Sequence, residues 1–352
     1  MNNRTKKSKK RSSKASLIIK VSLLLVASLL ICATAYGVYI TKQVKHAADS
    51  AHEELKGRDI SALRDEKVEP VHDNVSILFV GVDDSENRGQ GSEHSRSDAL
   101  ILATLNNKTK TIKMLSIPRD SYVYIPSVGH KDKITHAHAY GGTLSTIDTV
   151  EKLLDVPIDY YVRMNFNAFI DVVDALGGIE AEVPYKLHEK DEFDRNAINL
   201  EPGMQHLNGS QALALARTRK QDNDIERGKR QQEILTAIIN KVSSVESISK
   251  YDDVIKALGD NMKTNMTFSE MKSFLSYLSQ GMPRIDSLTL DGADDMSTGV
   301  YYYKLKQESV DEISETLKNH LGTNKASSSL TNNNSNKANA VGDDTTNNNN
   351  SQ

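Results

Sequence analysis

The sequence predicts an α/β fold over residues 73–322, preceded by one transmembrane helix. A short, continuous apolar run at residues 77–82 is typical of a central strand covered by helices on both faces. Strand-like and helix-like segments then alternate along the chain, as they do in α/β proteins. Residues 21–40 carry no formal charge, and 20 residues are enough for one helical span of a bilayer.

The order of the elements follows from hydrophobic spacing and from turn residues. Further strands are predicted at 99–105, 111–117, 160–164 and 179–183. Helices are predicted at 143–154, 166–176, 210–216, 225–242, 269–280 and 310–321. Asn106 and Asn107 favour a turn between the second and third strands, and Gly177 and Gly178 end the helix at 166–176.

The N-terminal segments predict the topology. Residues 1–20 hold eight Lys or Arg and no acid, so the positive-inside rule places this basic segment in the cytoplasm. The chain from residue 41 is then extracellular, as in a single-pass protein of the cell membrane. Residues 33–35 (Ala-Thr-Ala) also resemble a signal-peptide cleavage site, but the apolar run continues to residue 40, which favours a retained signal-anchor.

The segments that flank the predicted domain have different compositions. Residues 41–72 are charged and Ala-rich, which predicts a partly helical extracytoplasmic stalk. In residues 323–352, ten of thirty residues are Asn, and this composition predicts a disordered tail. Outside the first 20 residues the chain has 36 basic and 47 acidic residues, a net charge of −11, which argues against a nucleic-acid partner. The single Cys32 excludes disulfides within the chain and CxxC metal sites.

Charged residues stand at the ends of the predicted strands. Asp83 follows the first strand, and Arg119 follows the third within a Pro-Arg-Asp sequence. Arg96 and Asp98 immediately precede the second strand, and residues two apart on extended chain point to the same side. Ligands of open α/β sheets gather at the carboxyl ends of strands, so we expect one site here. The alternative for each pair is a local surface ion pair.

A second basic segment lies at residues 216–232. Arg217 and Arg219 are expected to point together on extended chain just past a helix. Asp224 is predicted to cap the next helix, whose spacing puts Arg227 and Gln231, together with Arg230, on one face. Such a face is either solvated or binds an anion. Because apolar residues flank the segment, several guanidinium groups beside the core predict an anionic partner such as a pyrophosphate.

A divalent cation is consistent with the same site. Asp83 and Asp98 beside an arginine cluster suit a Mg²⁺ that bridges to phosphate oxygens. His136 and His138 have no evident third ligand, which argues against a metal site at these histidines. The sequence also contains no GxxxxGK[ST], GxGxxG, HExxH or GxSxG motif, so the usual signatures of nucleotide-binding, zinc-protease and serine-hydrolase chemistry are missing.

Taken in order, these motifs resemble the LytR-CpsA-Psr (LCP) family. The resemblance spans residues 75–240 and is carried by ILFVGVD (77–83), RSD (96–98), SIPRD (116–120), AYGG (139–142) and ARTR (216–219), followed by DIER and RQQ at 224–232. It implies an LCP domain with a central mixed β-sheet flanked by helices. It also implies a cell-wall phosphotransferase of Gram-positive bacteria that moves a glycopolymer from a polyprenyl pyrophosphate carrier onto peptidoglycan and releases polyprenyl phosphate.

The resemblance assigns roles to individual residues. It implies that Asp83 and Asp98 bind Mg²⁺ or Mn²⁺, and that the lipid tail occupies an apolar pocket. The pyrophosphate ligands that it implies are Arg96, Arg119, Lys133, Arg217, Arg219, Arg227 and Gln231. The general base stays open between Asp98 and Asp224. Residues 121–123 lack an Arg that many relatives have after the Pro-Arg-Asp motif.

Three aspects of function stay open at this point. The transferred polymer, whether teichoic acid, capsule or another glycopolymer, is not specified by these residues. A hydrolase of polyprenyl pyrophosphate or of glycan would use similar carboxylates with water as the acceptor. A membrane-bound regulator, such as a transcriptional attenuator, is the other alternative, and the extracellular placement and net negative charge argue against direct DNA control.

Overall fold

A computed structural model describes residues 32, 34, 36, 38, 39, 41–83, 95–191, 195, 197–221, 223–244, 254, 261–279 and 282–324. Its strands are β1 (Val75–Val82), β2 (Ser97–Asn106), β3 (Thr111–Ser116), β4 (Tyr122–Ile125), β5 (His130–Lys133), β6 (Tyr160–Met164), β7 (Ile179–Val183), β8 (Leu187–Glu189), β9 (Ile198–Leu200), β10 (Gly203–Leu207), β11 (Met262–Thr264), β12 (Arg284–Thr289), β13 (Gly292–Asp295) and β14 (Tyr302–Leu305). Its helices are α1 (41–51), α2 (Thr135–Leu154), α3 (Phe166–Ala175), α4 (Gly209–Arg217), α5 (Asp224–Val242), α6 (Phe268–Ser279) and α7 (Gln307–Leu321).

The centre of the fold is a six-stranded mixed sheet with the order β11-β6-β1-β2-β3-β12. β1 runs parallel to β6, β3 runs parallel to β12, and β2 is antiparallel to both β1 and β3. The carboxyl ends of β1, β3, β6 and β12 therefore share one edge of the sheet with the start of β2. We call this the carboxyl edge.

Helices cover both faces of the sheet. Side chains alternate along β1, so Leu78 and Val80 face a core shared with α2 and α7, whereas Ile77 and Phe79 face a second core shared with α5 and α6. A smaller apolar cluster joins α3, α4 and α5 to the antiparallel pair formed by β7 and β10. These layers confirm the predicted α/β fold with a mixed sheet between helices.

The predicted elements agree with the structure to within a few residues, and β6 and β7 have the predicted bounds. Two differences matter. β12 was not predicted, because its sequence RIDSLT is polar and it lies at the edge of the sheet, where burial does not demand an apolar run. α2 has a kink at Gly141 and Gly142, whose backbone angles are not helical. Its second part is the predicted helix at 143–154, and residues 135–140 form an additional helical segment that was not predicted.

The segment 41–72, predicted as a stalk, packs on the domain. Arg58 forms an ion pair with Glu151 of α2 at 2.7 Å, and Arg64 forms one with Asp159 at 2.7 Å. The side chains of both arginines are largely buried. Part of the predicted stalk therefore packs on the domain, and the packed unit extends N-terminal to residue 73.

Most of the predicted transmembrane span lies outside the described residues, as does nearly all of the predicted tail at 323–352. Within the described part of the chain, no helix has the length and the apolar character needed to cross a membrane.

A buried histidine joins α7 to the sheet at the end opposite to the carboxyl edge. His320, near the end of α7, lies 2.8 Å from the Thr104 hydroxyl through Nδ1 and 2.8 Å from the Thr111 hydroxyl through Nε2. Burial, together with the charges of Lys113 and Arg284, lowers the pKa of His320 to about 4, against the attraction of Asp286. The imidazole is therefore neutral at pH 7 and links α7 to β2 and β3.

We expect protonation of His320 to destabilise the fold below pH 6.5. Since its folded pKa of about 4 lies below the ordinary value of 6.5, the stabilisation is complete above pH 6.5 and declines as the pH falls towards 4. Between pH 7 and pH 5 the free energy of unfolding should drop by about 2 kcal/mol. Urea unfolding at both pH values measures this drop. In a His320→Gln variant, most of this pH-dependent drop should be absent. An equal drop in the variant would show that another group is responsible.

Candidate active site

Two aspartates come together where β1 ends and β2 begins. The pairing register shifts between Gly81 and Val82, and Val82 pairs with Ser97. This shift leaves Asp98 as the extra residue of a β-bulge, a feature that redirects a side chain at a strand end. Asp83 directly follows Val82 and is 7% exposed. The structure therefore brings Asp83 and Asp98 to the same position on the carboxyl edge.

The loop after β3 adds a basic residue to these carboxylates. Arg119 Nη1 donates to Asp98 Oδ1 at 2.6 Å, and its Nε lies 3.5 Å from Asp120 Oδ2. Asp120 is buried and also pairs with Lys133 Nζ at 2.7 Å. Arg119 is thus held between two acidic side chains. Asp120, which sequence reasoning did not assign, orients both Arg119 and Lys133.

The start of α5 supplies the second half of the cluster. Asn223 caps the helix by accepting from the Glu226 amide, so the prediction of Asp224 as the cap is wrong. Asp224 is the first helical residue, and it pairs with Arg227 Nη2 at 2.8 Å. Arg219 approaches the same carboxylate at 3.7 Å. Capping by Asn223 frees Asp224 to face the arginines.

Close packing of α5 on the sheet fixes Arg227 at the carboxyl edge. A Cβ atom on Gly228 would lie 2.5 Å from Ser116 Oγ, so a larger residue would push the helix away from β3. One turn later, the buried Gln232 donates to the Met114 carbonyl of β3 at 3.0 Å and to a carbonyl of β12. These contacts explain the glycine and the second glutamine of the sequence ERGKRQQ.

The arginines interact with one another electrostatically. Burial opposes the charge of Arg119, but neighbouring carboxylates, Asp98 foremost, outweigh it and raise the pKa of Arg119. Burial lowers the pKa of Arg227, and Asp224 offsets only part of that effect. The charges of Arg119 and Arg219 also lower the pKa of Arg227, so the three guanidinium groups lie within reach of a single anion.

Two buried donors in the cluster are not fully satisfied. The Nε atoms of Arg119 and Arg227 are buried and form no hydrogen bond, although Asp120 Oδ2 lies 3.5 Å from Arg119 Nε. A buried donor without an acceptor costs about 1 to 3 kcal/mol, and an anion with several oxygens would remove that cost. Six basic residues lie towards this edge, namely Arg96, Arg119, Lys133, Arg217, Arg219 and Arg227. The site therefore suits a polyanion.

Arg217 and Gln231 occupy supporting positions. α4 includes Arg217, whose guanidinium lies 4.4 Å from the centre of the Phe166 ring. The prediction that Arg217 and Arg219 share one extended segment is therefore wrong, because the backbone becomes extended only at Thr218. Gln231 donates to the Ala216 carbonyl at 3.2 Å, which ties α5 to the end of α4 and positions the arginines there.

The β13–β14 hairpin completes the site, and sequence reasoning missed it. The Tyr303 amide donates to the Asp120 carbonyl at 2.9 Å, which docks the hairpin on the Pro-Arg-Asp loop. Lys133 Nζ lies 5.8 Å from the Tyr301 ring and 5.7 Å from the Tyr302 ring. Burial raises the pKa of Tyr301, and a hydrogen bond to a carboxylate adds to the rise, so its hydroxyl stays protonated. In the sequence, the run of three tyrosines at 301–303 was the one feature that could have indicated this part of the site.

His136 and His138 point to different partners. His136 Nδ1 lies 2.8 Å from Asp132, whereas the buried His138 Nδ1 lies 2.8 Å from the Ser95 carbonyl. This arrangement agrees with the argument against a histidine metal site. Among the described residues, no three His, Cys, Asp or Glu side chains converge as a complete set of metal ligands.

Comparison with known proteins gives the family. The sequence model of the LytR-CpsA-Psr family matches residues 38–319, which include every site residue discussed above. This chain belongs to the LytR-CpsA-Psr family. The match begins well before β1, in agreement with the packing of residues 41–72 on the domain.

Two relatives are similar to this chain over most of their length. The chain is 41% identical over 316 residues to the Bacillus subtilis polyisoprenyl-teichoic acid–peptidoglycan teichoic acid transferase TagT, covering 89% of this chain and 98% of TagT. It is 44% identical to an uncharacterised protein of Staphylococcus aureus, covering 85% of this chain and 75% of the relative.

Solved LytR-CpsA-Psr structures share the fold. The crystal structure of B. subtilis TagT superposes with a TM-score of 0.64 at 38% identity, covering 77% of this chain and 100% of TagT. A structure of TagT with bound octaprenyl pyrophosphate lipid superposes with a TM-score of 0.61 at 36% identity, covering 77% of this chain and 100% of that chain.

Proposed function

We propose that this chain is a phosphotransferase that moves an anionic wall glycopolymer, of the teichoic acid type, from a polyprenyl pyrophosphate carrier to a peptidoglycan hydroxyl. The observation that carries this proposal is the arginine cluster itself, in which the buried Nε donors of Arg119 and Arg227 form no hydrogen bond. The names of the TagT-type relatives support the same reaction, as does the octaprenyl pyrophosphate bound by TagT.

The cluster would act on the phosphoryl group by positioning it and by neutralising its charge. An acceptor hydroxyl oxygen forms a bond to the phosphorus that carries the polymer. The bond from that phosphorus to the bridging oxygen breaks, and polyprenyl phosphate leaves. Arg119, Arg219 and Arg227 would hold the phosphate oxygens while negative charge moves onto the leaving group. The hydroxyl proton passes to a carboxylate, for which Asp98 and Asp224 are both placed inside the cluster.

The carboxylates at the β1–β2 bulge fit a divalent cation. Mg²⁺ commonly binds through one or two carboxylates together with substrate phosphates, and Asp83 and Asp98 supply two. The bond from Arg119 occupies one oxygen of Asp98, and a carboxylate has lone pairs for a further partner. When bound, Mg²⁺ or Mn²⁺ would neutralise charge on the pyrophosphate. Asp98 would then hold both the cation and Arg119 beside the same phosphate.

Partly buried apolar side chains on one face of the sheet suit the prenyl chain. Phe79 lies on β1, which has neighbours on both sides, yet its side chain is only partly buried. The same face of the sheet carries further partly buried apolar side chains from the sheet, α5 and α6, namely Met164, Leu235, Ile239, Met271, Phe274 and Ile285. Accessible apolar surface inside a layered domain is unusual, and a lipid tail would cover it.

We further propose that residues 1–20 are cytoplasmic, that residues 21–40 span the cell membrane, and that the chain from residue 41 is extracellular. The support is the uncharged stretch and the basic segment before it. Protease added to intact protoplasts should degrade the domain and leave a cytoplasmic marker intact. Full protection of the domain would contradict this topology.

Product analysis tests the proposed reaction against hydrolysis. A purified full-length chain in detergent, given a polyprenyl pyrophosphate-linked polymer, should attach polymer to a peptidoglycan oligomer and release one polyprenyl phosphate per attachment. Without the acceptor, release should fall at least about tenfold, because a hydroxyl held in place reacts faster than water. Equal release with and without the acceptor would identify a hydrolase.

A further inference from the structure

Two tyrosines and two lysines share the outer face of the β4–β5 hairpin. Buried and accessible residues alternate along β4, and the accessible ones are Tyr122 and Tyr124. Tyr122 is paired with Lys133 of β5, and Tyr124 is paired with Lys131. Residues that are paired across two strands point to the same side of the hairpin. All four side chains therefore lie on the side that faces away from the core.

The β13–β14 hairpin extends this surface by direct contact. The rings of Tyr302 and Tyr122 lie 4.7 Å apart between centroids, with 58° between their planes. Lys133 Nζ lies 5.8 Å from the centre of the Tyr301 ring and 5.7 Å from that of the Tyr302 ring. Lys131 Nζ lies 6.0 Å from the centre of the Tyr122 ring. We call this surface the tyrosine face, and its residues are Tyr122, Tyr124, Lys131, Lys133, Tyr301 and Tyr302.

The tyrosine face suits a carbohydrate ligand. Tyr124 is 42% exposed. Among the described residues, the hydroxyl groups of Tyr122, Tyr124 and Tyr302 form no hydrogen bond, so they are available to sugar hydroxyls. Tyrosine rings offer a large, rigid apolar area for the C–H face of a sugar, and they lose little conformational entropy when a ligand binds.

The tyrosine face is continuous with the phosphate site. Lys133 Nζ pairs with Asp120 Oδ1 at 2.7 Å, and Asp120 Oδ2 lies 3.5 Å from Arg119 Nε. Each step of this path is a contact between side chains. A glycan on the tyrosine face therefore lies next to the groups that would hold the phosphate.

The geometry of phosphoryl transfer indicates which glycan this is. The attacking and leaving oxygens lie roughly in line, on opposite sides of the phosphorus. The side chains that suit the prenyl chain, Phe79 among them, lie on the α5–α6 face of the sheet, so polyprenyl phosphate leaves towards that face. β4 and β14 pack on the opposite face, where Val123 and Leu305 join the core shared with α2 and α7. The attacking hydroxyl therefore enters from the side of the tyrosine face.

We propose that the tyrosine face binds the acceptor, a glycan strand of peptidoglycan, and directs one of its hydroxyls to the phosphate site. Sugar rings lie on Tyr124 and Tyr302. Lys131 is exposed and forms no ion pair within the part of the chain that the structure describes, so it is available to a carboxylate of the stem peptide. This inference rests on the proposed function, because it assumes that the reaction has a glycan acceptor.

Acceptor kinetics in the full-length chain test the tyrosine face. Tyr124→Ala should raise KM for a peptidoglycan oligomer at least about tenfold, which corresponds to 1.4 kcal/mol, while KM for the lipid-linked donor stays within about twofold. Tyr302→Leu, which keeps apolar bulk against Tyr122, should have the same effect. Tyr124→Phe keeps the ring and should retain most of the affinity for the acceptor.

Lys131 is tested with two acceptors of equal length, one with stem peptides and one without. Lys131→Ala should raise KM only for the oligomer that carries stem peptides, because only that oligomer offers carboxylates to the lysine. Lys108→Ala is the matched control, since Lys108 is also an exposed lysine but lies in the turn between β2 and β3. It should change neither KM.

Direct binding separates failure of the tyrosine face from failure of the proposed function. The wild-type chain should bind the peptidoglycan oligomer without a donor, and Tyr124→Ala should lose most of this binding while its melting temperature is unchanged. Undetectable binding to the wild-type chain overturns the tyrosine face, and so does a rise in KM for the donor instead of the acceptor. Oligomer binding that depends on Tyr124, in a chain that transfers no polymer, would contradict the proposed function instead.

Discussion

Replacement of Arg219 or Arg119 by alanine is expected to cut transfer activity at least about 100-fold. Loss of one donor that stabilises developing charge costs about 2.7 to 4 kcal/mol in comparable sites. Arg219 is 46% exposed and lies 3.7 Å from the Asp224 carboxylate, so its charge is available to a phosphate. Arg119 lies between Asp98 and Asp120, and its buried Nε forms no hydrogen bond. Initial rates with a lipid-linked donor and a peptidoglycan oligomer measure the loss.

The same variants should fold normally. A cation held mainly for an external anion contributes little to the empty protein, so we expect the free energy of unfolding to change by less than about 1 kcal/mol. Lys220→Ala is a matched control for Arg219→Ala, since Lys220 is adjacent in sequence, is similarly exposed and pairs with Glu189 outside the cluster. A loss of stability of roughly 3 to 5 kcal/mol with normal activity would show that the arginines serve the fold.

The second large effect is expected at Asp98. Asp98→Asn removes a negative charge from the proposed cation site but keeps an oxygen that can accept from Arg119. Removal of groups that only support a metal ligand costs 10- to 100-fold in affinity or activity, so loss of a ligand's charge should reduce transfer by at least about 100-fold. The rate should also require a higher Mg²⁺ concentration. Asp83→Asn should behave in the same way, because Asp83 is the other proposed ligand.

A Mg²⁺ titration of the melting temperature checks the cation site without relying on activity. In the presence of a short-chain polyprenyl pyrophosphate, Mg²⁺ should stabilise the wild-type chain and should fail to stabilise Asp98→Asn. Asp155→Asn is the control, because Asp155 lies beyond the far end of α2 and its left-handed backbone suits Asn. If Asp98→Asn kept the wild-type response, the cation would have to bind elsewhere.

Sequence reasoning located much of the site because its residues follow strong hydrophobic signals. Asp83 and Arg119 stand directly after apolar runs, and the ends of strands that run in the same direction lie at the same edge of a sheet. The structure brings them together with Asp98, Arg219 and Arg227. Periodicity was sufficient for Asp83 and Arg119, since each of them follows the end of a predicted strand.

The parts that sequence reasoning missed depend on contacts between distant segments. The bulge at Asp98 follows from the pairing of β2 with β1, which no local pattern reveals. Asn223 and Asp224 are both good caps, and only the backbone decides between them. The β13–β14 hairpin has a mostly exposed, polar sequence, so its docking on Asp120 was not predicted.

The most direct test of the arginine cluster compares two lipids on two proteins. A short-chain polyprenyl pyrophosphate and the corresponding monophosphate are titrated, with Mg²⁺, into the full-length chain and into its Arg119→Ala/Arg219→Ala double variant, and melting temperatures are recorded in parallel. We predict that the wild-type chain binds the pyrophosphate at least about tenfold more tightly than the monophosphate, because the second phosphate engages the cluster. The double variant should lose this preference and keep its melting temperature. Equal affinity of the wild-type chain for both lipids, or unchanged pyrophosphate binding in a variant whose stability has collapsed, would contradict the assignment.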